Sequence, residues 1–142
     1  MDWKEYGYLG VLNNTGVIIY RPYVTICIQS GDKRISVDAL VDSGSDGMVI
    51  HAGLAKDLGI DQSKCPPKSL SGATGVRDGF TSAVSYEVDG FRGYTIKTTA
   101  IFVPDLPVAC LIGQEDFFEK FIVQFKKHNN VLRLSKIPKK NS

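Results

Sequence analysis

Apolar residues along this chain alternate with polar residues or gather in short runs, and both patterns are typical of β-strands. Residues 23–28 are apolar and β-branched, residues 30–33 have turn composition, and residues 35–41 resume the strand pattern. These segments predict a β-hairpin whose second strand runs directly into Asp42.

The second half of the chain repeats this arrangement twice. One hairpin is predicted from strands over residues 81–88 and 94–103, and a final hairpin from strands over residues 122–125 and 131–134. Between these strands lie Gly, Asn, Asp and Pro residues, which are the usual turn formers. Most of the chain is therefore predicted to be strand.

Two short helices complete the predicted elements. The first covers residues 51–59 and ends at Gly59, and the second covers residues 115–120. Glu115 and Asp116 would be the acids of the second helix N-terminus, where they interact favourably with the helix dipole. Mostly strands, two short helices and no internal repeat indicate an all-β fold class, a closed barrel-like sandwich.

The strand over residues 35–41 ends at Asp-Ser-Gly, residues 42–44, which we call the Asp42 turn. We expect Asp42 to be largely desolvated, because it follows an apolar strand directly. Burying a carboxylate is costly unless a partner or a chemical task holds it there. Asp, Ser and Gly are also ordinary turn residues, so the motif alone has a simple structural explanation. Asp42 is nevertheless the first candidate for catalysis.

A second motif lies far downstream, where an apolar run ends in Leu-Ile-Gly at residues 111–113. In this order, the Asp42 turn and residues 111–113 resemble the two motifs of the retropepsin family of aspartic proteases. In that family each subunit gives one Asp-Thr/Ser-Gly turn to a two-subunit active site, and the later segment packs across the turn. The resemblance covers about residues 23–134 and implies the closed, barrel-like acid protease fold.

The resemblance also implies roles for the residues that follow Asp42. Ser43 would hydrogen-bond across the dimer axis, and Gly44 would let the substrate backbone approach closely. We further expect the Ser45 hydroxyl to donate to the Asp42 carboxylate and to lower the pKa of the catalytic pair. Replacing Ser45 with Ala would then move the pH optimum upward.

Asp46 matches an acid that binds the substrate main chain in retroviral members, and a turn-capping role fits it equally well. Many of those members carry Arg after the later Gly, where this chain has Gln114. The difference removes a charged partner for Asp46. It leaves the dimer geometry and the substrate contact at this position open.

Residues 69–76 are rich in Gly and hydroxyl side chains, and they stand where the family carries its flap. Gly72 and Gly75 suit a hinge that must open and close, and the resemblance makes both of them substrate-binding residues. A simple surface loop fits the same composition.

One carboxylate cannot perform this reaction, since one group must take a proton from water while another gives a proton to the carbonyl oxygen. Two facing aspartates that share a proton satisfy this need, because two like charges so close cannot both ionise. The chain contains one Asp-Ser-Gly. The resemblance therefore implies a homodimeric aspartic endopeptidase that takes a peptide or protein substrate and needs no metal or organic cofactor.

Composition narrows the class of protein. The 142 residues are 43% hydrophobic, which is enough for one compact domain. The net charge of +2 gives no reason to expect a nucleic-acid or membrane partner. We divide the chain into an N-terminal extension (1–20), a retropepsin-like protease domain (21–136) and a basic tail (137–142). The extension either packs on the domain or extends the dimer contact.

Cysteine usage and targeting signals bear on the compartment. Cys27, Cys65 and Cys110 cannot all pair within one chain, and none has metal-ligand spacing, so a reducing compartment is the simpler interpretation. No apolar stretch reaches the roughly 18 residues of a membrane helix, and the first residues do not resemble a signal peptide. We expect a soluble, cytoplasmic protein.

Two other classes of function fit the same residues. A catalytically inactive retropepsin-like module would bind peptides or dimerise, and would leave bound peptides whole. Alternatively, an all-β small-ligand binder outside the family would use Asp42 only as a turn residue, and it would be a stable monomer.

Overall fold

The computed structural model describes residues 2–72 and 75–138. Within these ranges the chain forms β-strands joined by short turns, as its β-branched and apolar runs predict. The strands, in chain order, are β1 (Lys4–Gly7), β2 (Leu9–Leu12), β3 (Ile18–Arg21), β4 (Tyr23–Ser30), β5 (Lys33–Val41), β6 (Val49–His51), β7 (Pro67–Gly72), β8 (Gly75–Val88), β9 (Ile96–Val103), β10 (Cys110–Ile112), β11 (Phe121–Lys126) and β12 (Val131–Lys136).

The main sheet contains seven strands in the order β4, β5, β10, β6, β9, β8, β7. Strand β4 also pairs with β8, so six of these strands close into a ring. Strand β10 is parallel to β5, and β9 is parallel to β6, whereas the remaining pairs are antiparallel. The predicted all-β fold class is confirmed.

The hydrophobic core fills this ring. On β4, Val24, Ile26 and Ile28 are at most 1% exposed, and they alternate with more accessible residues as expected for a strand with one buried face. Phe80 and Phe102 stack across β8 and β9 with their ring centroids 5.1 Å apart. Burial of each such side chain contributes roughly 1.5–3 kcal/mol to folding. The ring is therefore a rigid base for the turns at its ends.

Two smaller sheets flank the ring. Strands β1, β12 and β11 form one of them, with Tyr6 of β1 opposite Leu132 of β12. Tyr6 also reaches the turn between β8 and β9, where its hydroxyl donates to the carbonyl oxygen of Asp89. Within the described ranges, strands β2 and β3 pair only with each other, and we call them the N-terminal hairpin. The first strand of the N-terminal extension thus packs on the domain.

The first predicted helix is shorter than expected. Only Ala52–Leu54 forms a tight helical turn, and hydrogen-bonded turns continue the chain to Gly59, which has a positive φ of 67°. His51 begins this turn, since its ring nitrogen Nδ1 accepts a hydrogen bond from the Gly53 N–H. Gly59 ends the segment as predicted because a left-handed backbone conformation favours glycine.

The second predicted helix is wrong at its start. Glu115 is extended, with φ −70° and ψ 136°, and Asp116 has a positive φ of 66°, so neither acid lies at a helix N-terminus. The reason is a competing set of backbone hydrogen bonds. The Gln114 N–H donates to the Ser45 carbonyl oxygen at 2.9 Å, and the Glu115 N–H donates to that of Asp46 at 2.7 Å. Contacts with the Asp42 region therefore override the local helix signal.

The predicted flap is a β-hairpin. Strands β7 and β8 are antiparallel and in register from the pair Pro67 and Phe80 to the pair Gly72 and Gly75. Residues 73 and 74 of the predicted flap lie outside the described residues. In the parts of the chain that the structure describes, no helix has the length and apolar character that a membrane crossing requires.

Candidate active site at the Asp42 turn

The Asp42 turn begins where β5 ends, and β10 holds it there. Val41, the last residue of β5, lies opposite Ile112 in the parallel pairing of these strands. The chain continues this pairing by one further bond, since the Asp42 N–H donates to the Ile112 carbonyl oxygen at 2.9 Å. Residues 111–113 therefore lie directly against the turn, which is the contact that the resemblance implies.

Hydrogen bonds within the turn orient the Asp42 carboxylate. Its oxygen Oδ1 accepts from the Gly44 N–H at 2.9 Å, and the Asp42 carbonyl oxygen accepts from the Ser45 N–H at 3.1 Å. An Asp that accepts from the backbone two residues ahead forms an Asx turn, which limits the rotation of its side chain. The carboxylate is thus held in one orientation at the end of a buried strand.

Asp42 is half-buried, although the sequence predicts stronger desolvation. Val41 beside it is only 3% exposed, whereas Ser43 and Gly44 are exposed. The difference arises because the turn projects beyond the last β5–β10 pair, so the core covers Val41 but only part of Asp42. The carboxylate is consequently accessible from one side, as a group that must meet water or substrate needs to be.

Gly113 allows the two motifs to pack this closely. A Cβ atom on Gly113 would lie 2.1 Å from the Ser45 carbonyl oxygen and 2.7 Å from its carbonyl carbon. Real Cβ atoms do not approach backbone atoms at such distances, so any larger residue would displace the chain after the Asp42 turn. The last residue of the second motif is therefore required by backbone packing.

Gln114 makes a contact that sequence reasoning missed. Its side-chain nitrogen Nε2 donates to the Ser43 carbonyl oxygen at 2.7 Å, and its own N–H donates to the Ser45 carbonyl oxygen. The sequence predicts only the loss of a charged partner for Asp46 at this position. Instead, Gln114 holds the backbone of the Asp42 turn in place through these two hydrogen bonds. The only sequence feature that points to this role is its position directly after Gly113.

Ser45 differs from the prediction. Its hydroxyl donates to the Gly47 carbonyl oxygen at 2.8 Å, so its single proton is not directed at Asp42. The side chain of Asp46 is exposed, and its carbonyl oxygen is the acceptor for Glu115. The structure thus brings Ser43, Gly44, Ser45 and Asp46 together with Asp42 in one segment.

Gly72 and Gly75 lie on the β7–β8 hairpin, where they are paired with each other. A side-chain hydrogen bond ties this hairpin to the loop after β9, where Arg77 donates to the Asp105 carbonyl oxygen at 2.9 Å. Asp105 itself has a positive φ of 61°. The hairpin is therefore attached to the domain along its second strand, close to the predicted flap.

Cys110 lies at the start of β10 and is fully buried. Burial raises the pKa of its thiol well above the ordinary value, because the charged thiolate is disfavoured in an apolar environment. A thiol of this kind is unreactive. Cys110 is therefore a packing residue beneath the site and a poor candidate for a nucleophile.

Solved structures share this fold. The EIAV protease complexed with the inhibitor HBY-793 is 22% identical, with a TM-score of 0.56, over 77% of this chain and 93% of that chain. A retropepsin-like aspartic protease from Rickettsia conorii is 17% identical, with a TM-score of 0.62, over 94% of this chain and 98% of that chain. The chain therefore has a retropepsin-like fold, as its two motifs predict.

Sequence comparison gives the family. The family model described as aspartyl protease matches residues 24–115, which is more than half of the chain and includes the Asp42 turn and residues 111–113. The search of curated proteins found no match. The chain belongs to the aspartyl protease family.

Proposed function

We propose that this protein is an aspartic endopeptidase in which one Asp42 from each subunit of a homodimer activates the attacking water. The observation that supports this most is the construction of the Asp42 turn. The carboxylate is oriented by the Gly44 N–H, is partly open to solvent, and stands on a backbone fixed by Ile112 and Gln114. These restraints hold the acid in one orientation before a substrate arrives, as a catalytic carboxylate requires.

The chemistry requires the second carboxylate. Two Asp42 side chains that face each other share one proton, as is general for aspartic proteases, because both cannot be ionised at short range. The ionised carboxylate takes a proton from water, whose oxygen attacks the peptide carbonyl carbon, while the protonated carboxyl gives its proton to the carbonyl oxygen. The tetrahedral diol then collapses: the carboxyl that took the water proton gives it to the nitrogen, the C–N bond breaks, and one diol hydroxyl returns its proton to the other carboxylate. The apparent pKa values belong to the pair.

The rigid turns reduce the cost of reaching this geometry. When the fold already holds a catalytic group in position, less entropy is lost on reaching the transition state, and the activation barrier is lower. The hydrogen bonds from Gly44 to Asp42 and from Asp42 to Ile112 supply that positioning within each subunit. Ser43, which is exposed, would complete it by bonding across the dimer axis. No metal or organic cofactor takes part in this scheme.

The substrate would be an extended peptide or protein segment between the paired Asp42 turns and the β7–β8 hairpins. Gly72 and Gly75 would let the flap close over it, and Asp46 would contact its main chain. An extended peptide offers main-chain donors and acceptors of the kind that an antiparallel hairpin recognises. We place the reaction in the cytoplasm, which agrees with three cysteines that are free in the structure.

Cleavage of a mixed peptide library between about pH 4 and 7 tests this function. The wild type should cut peptides, Asp42→Asn should not, and Asp57→Asn, an exposed acid outside the site, should cut like the wild type. Mass spectrometry of the products gives the cleaved bonds. If a folded wild-type dimer binds peptides and leaves them whole, the protein is instead an inactive peptide-binding module.

A further inference from the structure

The N-terminal hairpin is apolar on both faces. Leu12 pairs with Ile18, and Tyr20 with Gly10, so these four residues share one face, which we call the outer face. The opposite face carries Leu9, Val11, Ile19 and Arg21. A hairpin with one face in water alternates apolar and polar residues, whereas strands covered on both faces form continuous apolar runs. Strands β2 and β3 have the apolar runs of strands that are covered on both faces.

The outer face is nevertheless uncovered in the single chain. Leu12 is 71% exposed, Ile18 57% and Tyr20 48%. Among the described residues, five of the eight exposed large hydrophobic side chains lie in residues 9–20. Three of the five, Leu12, Ile18 and Tyr20, share the outer face, and an exposed apolar patch of this kind on a small protein marks an interaction surface.

The hairpin is also ordered in advance. At its tip the Asn13 N–H donates to the Val17 carbonyl oxygen, and the Asn13 side-chain oxygen accepts from the N–H groups of Thr15 and Val17, each bond being 2.9 Å long. At its base the Lys127 ammonium donates to the Tyr20 carbonyl oxygen at 3.2 Å. A two-stranded hairpin is marginal in water without such support. The outer face is therefore presented in a fixed position.

The base of the hairpin lies beside the catalytic end of the domain. Strand β3 leads into Pro22, whose carbonyl oxygen accepts a hydrogen bond from the Val41 N–H at 2.9 Å. Val41 directly precedes Asp42. The N-terminal hairpin is thus anchored next to the turn that, with one candidate aspartate per chain, has to meet its counterpart from another subunit.

We propose that the outer face of the N-terminal hairpin packs against a second copy of this chain in the dimer that joins the two Asp42 turns. This inference rests on the proposed function. In a two-fold symmetric dimer every contact occurs twice, so Leu12, Ile18 and Tyr20 of both subunits become buried together. Burial of this apolar surface supplies binding energy that the small polar Asp42 turns do not.

Sedimentation velocity over a range of protein concentrations tests the inference. All variants carry Asp42→Asn, which prevents self-digestion. Leu12→Asp and Ile18→Asp should each raise the dimer dissociation constant by at least about tenfold. Each substitution is present in both subunits, so it introduces two charges into an apolar interface. Leu12→Met keeps the apolar surface, and Phe125→Asp alters another exposed apolar residue, on β11, so both should dimerise like the parent chain.

A cleavage assay separates this inference from the proposed function. With Asp42 intact, Leu12→Asp and Ile18→Asp should lose peptide cleavage at low protein concentration and regain it at high concentration. Unchanged dimerisation of both variants would overturn the role of the hairpin, while Asp42-dependent cleavage by the wild type would keep the protease assignment. If the parent chain is monomeric at every concentration, the outer face does not bind a second copy of this chain. Its partner would then be another protein or a lipid surface.

Discussion

The backbone N–H of Asp42 donates to the carbonyl oxygen of Ile112, and this 2.9 Å hydrogen bond joins the two motifs of the site. It extends the parallel pairing in which Val41 lies opposite Ile112. The position of the candidate catalytic carboxylate therefore depends on β10 as much as on its own turn.

Replacing Gly113 with Ala should destabilise the fold and disturb the site. The new Cβ atom would lie 2.1 Å from the Ser45 carbonyl oxygen, so the backbone must move. Overpacking of this kind costs roughly 1–3 kcal/mol, and we expect a loss of about 2 kcal/mol in the free energy of unfolding, measured in urea. Gly7→Ala is the matched control, since its Cβ would have no neighbour within 4 Å. Equal stability of both variants would contradict the close packing.

Replacing Gln114 with Glu should reduce peptide cleavage while the fold persists. The substitution removes the N–H donor to the Ser43 carbonyl oxygen and places a carboxylate oxygen against it. Loss of the bond costs about 1 kcal/mol, which should loosen the Asp42 turn and lower kcat/KM severalfold. Gln62→Glu, at an exposed position, serves as the control. Full activity of Gln114→Glu would show that the contact does not position the turn.

Replacing Ser45 with Ala distinguishes the sequence-based expectation from the structure. Donation of the Ser45 hydroxyl to Asp42 would predict an upward shift of the pH optimum. The observed hydrogen bond to the Gly47 carbonyl oxygen predicts an unchanged optimum and a loss of about 1 kcal/mol of stability. A pH–rate profile of peptide cleavage decides between them, and an optimum displaced upward would restore the original hypothesis.

Replacing Tyr6 with Phe should make stability less sensitive to alkaline pH. Burial, together with the negative charge of Asp89, raises the pKa of Tyr6 from 10.0 to about 12. Between these values the unfolded chain loses the phenolic proton while the folded protein keeps it, so the free energy of unfolding falls as pH rises from 10 to 12. The hydroxyl also donates to the Asp89 carbonyl oxygen, so Tyr6→Phe should be less stable at neutral pH.

Urea denaturation of Tyr6→Phe and the wild type between pH 8 and about 12 measures this difference. The wild type should lose stability more steeply than Tyr6→Phe above pH 10. Parallel curves for Tyr6→Phe and the wild type would contradict the assignment of the raised pKa to Tyr6.

Local patterns predicted the parts of the fold that depend on neighbours in sequence. The apolar, β-branched run over residues 23–28 predicts β4, and the Gly59 signal predicts the end of its segment correctly. The Asp42 turn was located because an acid follows an apolar strand. The family match and the retropepsin-like fold agree with these predictions.

Long-range contacts account for what local patterns missed. Glu115 and Asp116 have the composition of a helix start, but the backbone at Gln114 and Glu115 is bonded to Ser45 and Asp46 instead. No local pattern shows which distant carbonyl a backbone N–H will meet. The contact of Gln114 with Ser43 was missed for the same reason.

If two chains build one active site, mixing active and inactive subunits must abolish cleavage. Wild-type protein at fixed concentration is equilibrated with increasing amounts of Asp42→Asn, and peptide cleavage is measured. The shared site predicts that activity falls toward zero as inactive mixed dimers form, following the fraction of dimers with two intact Asp42 residues. Cleavage that stays constant as the Asp42→Asn chain is added would show that each chain acts alone and would rule out a shared active site.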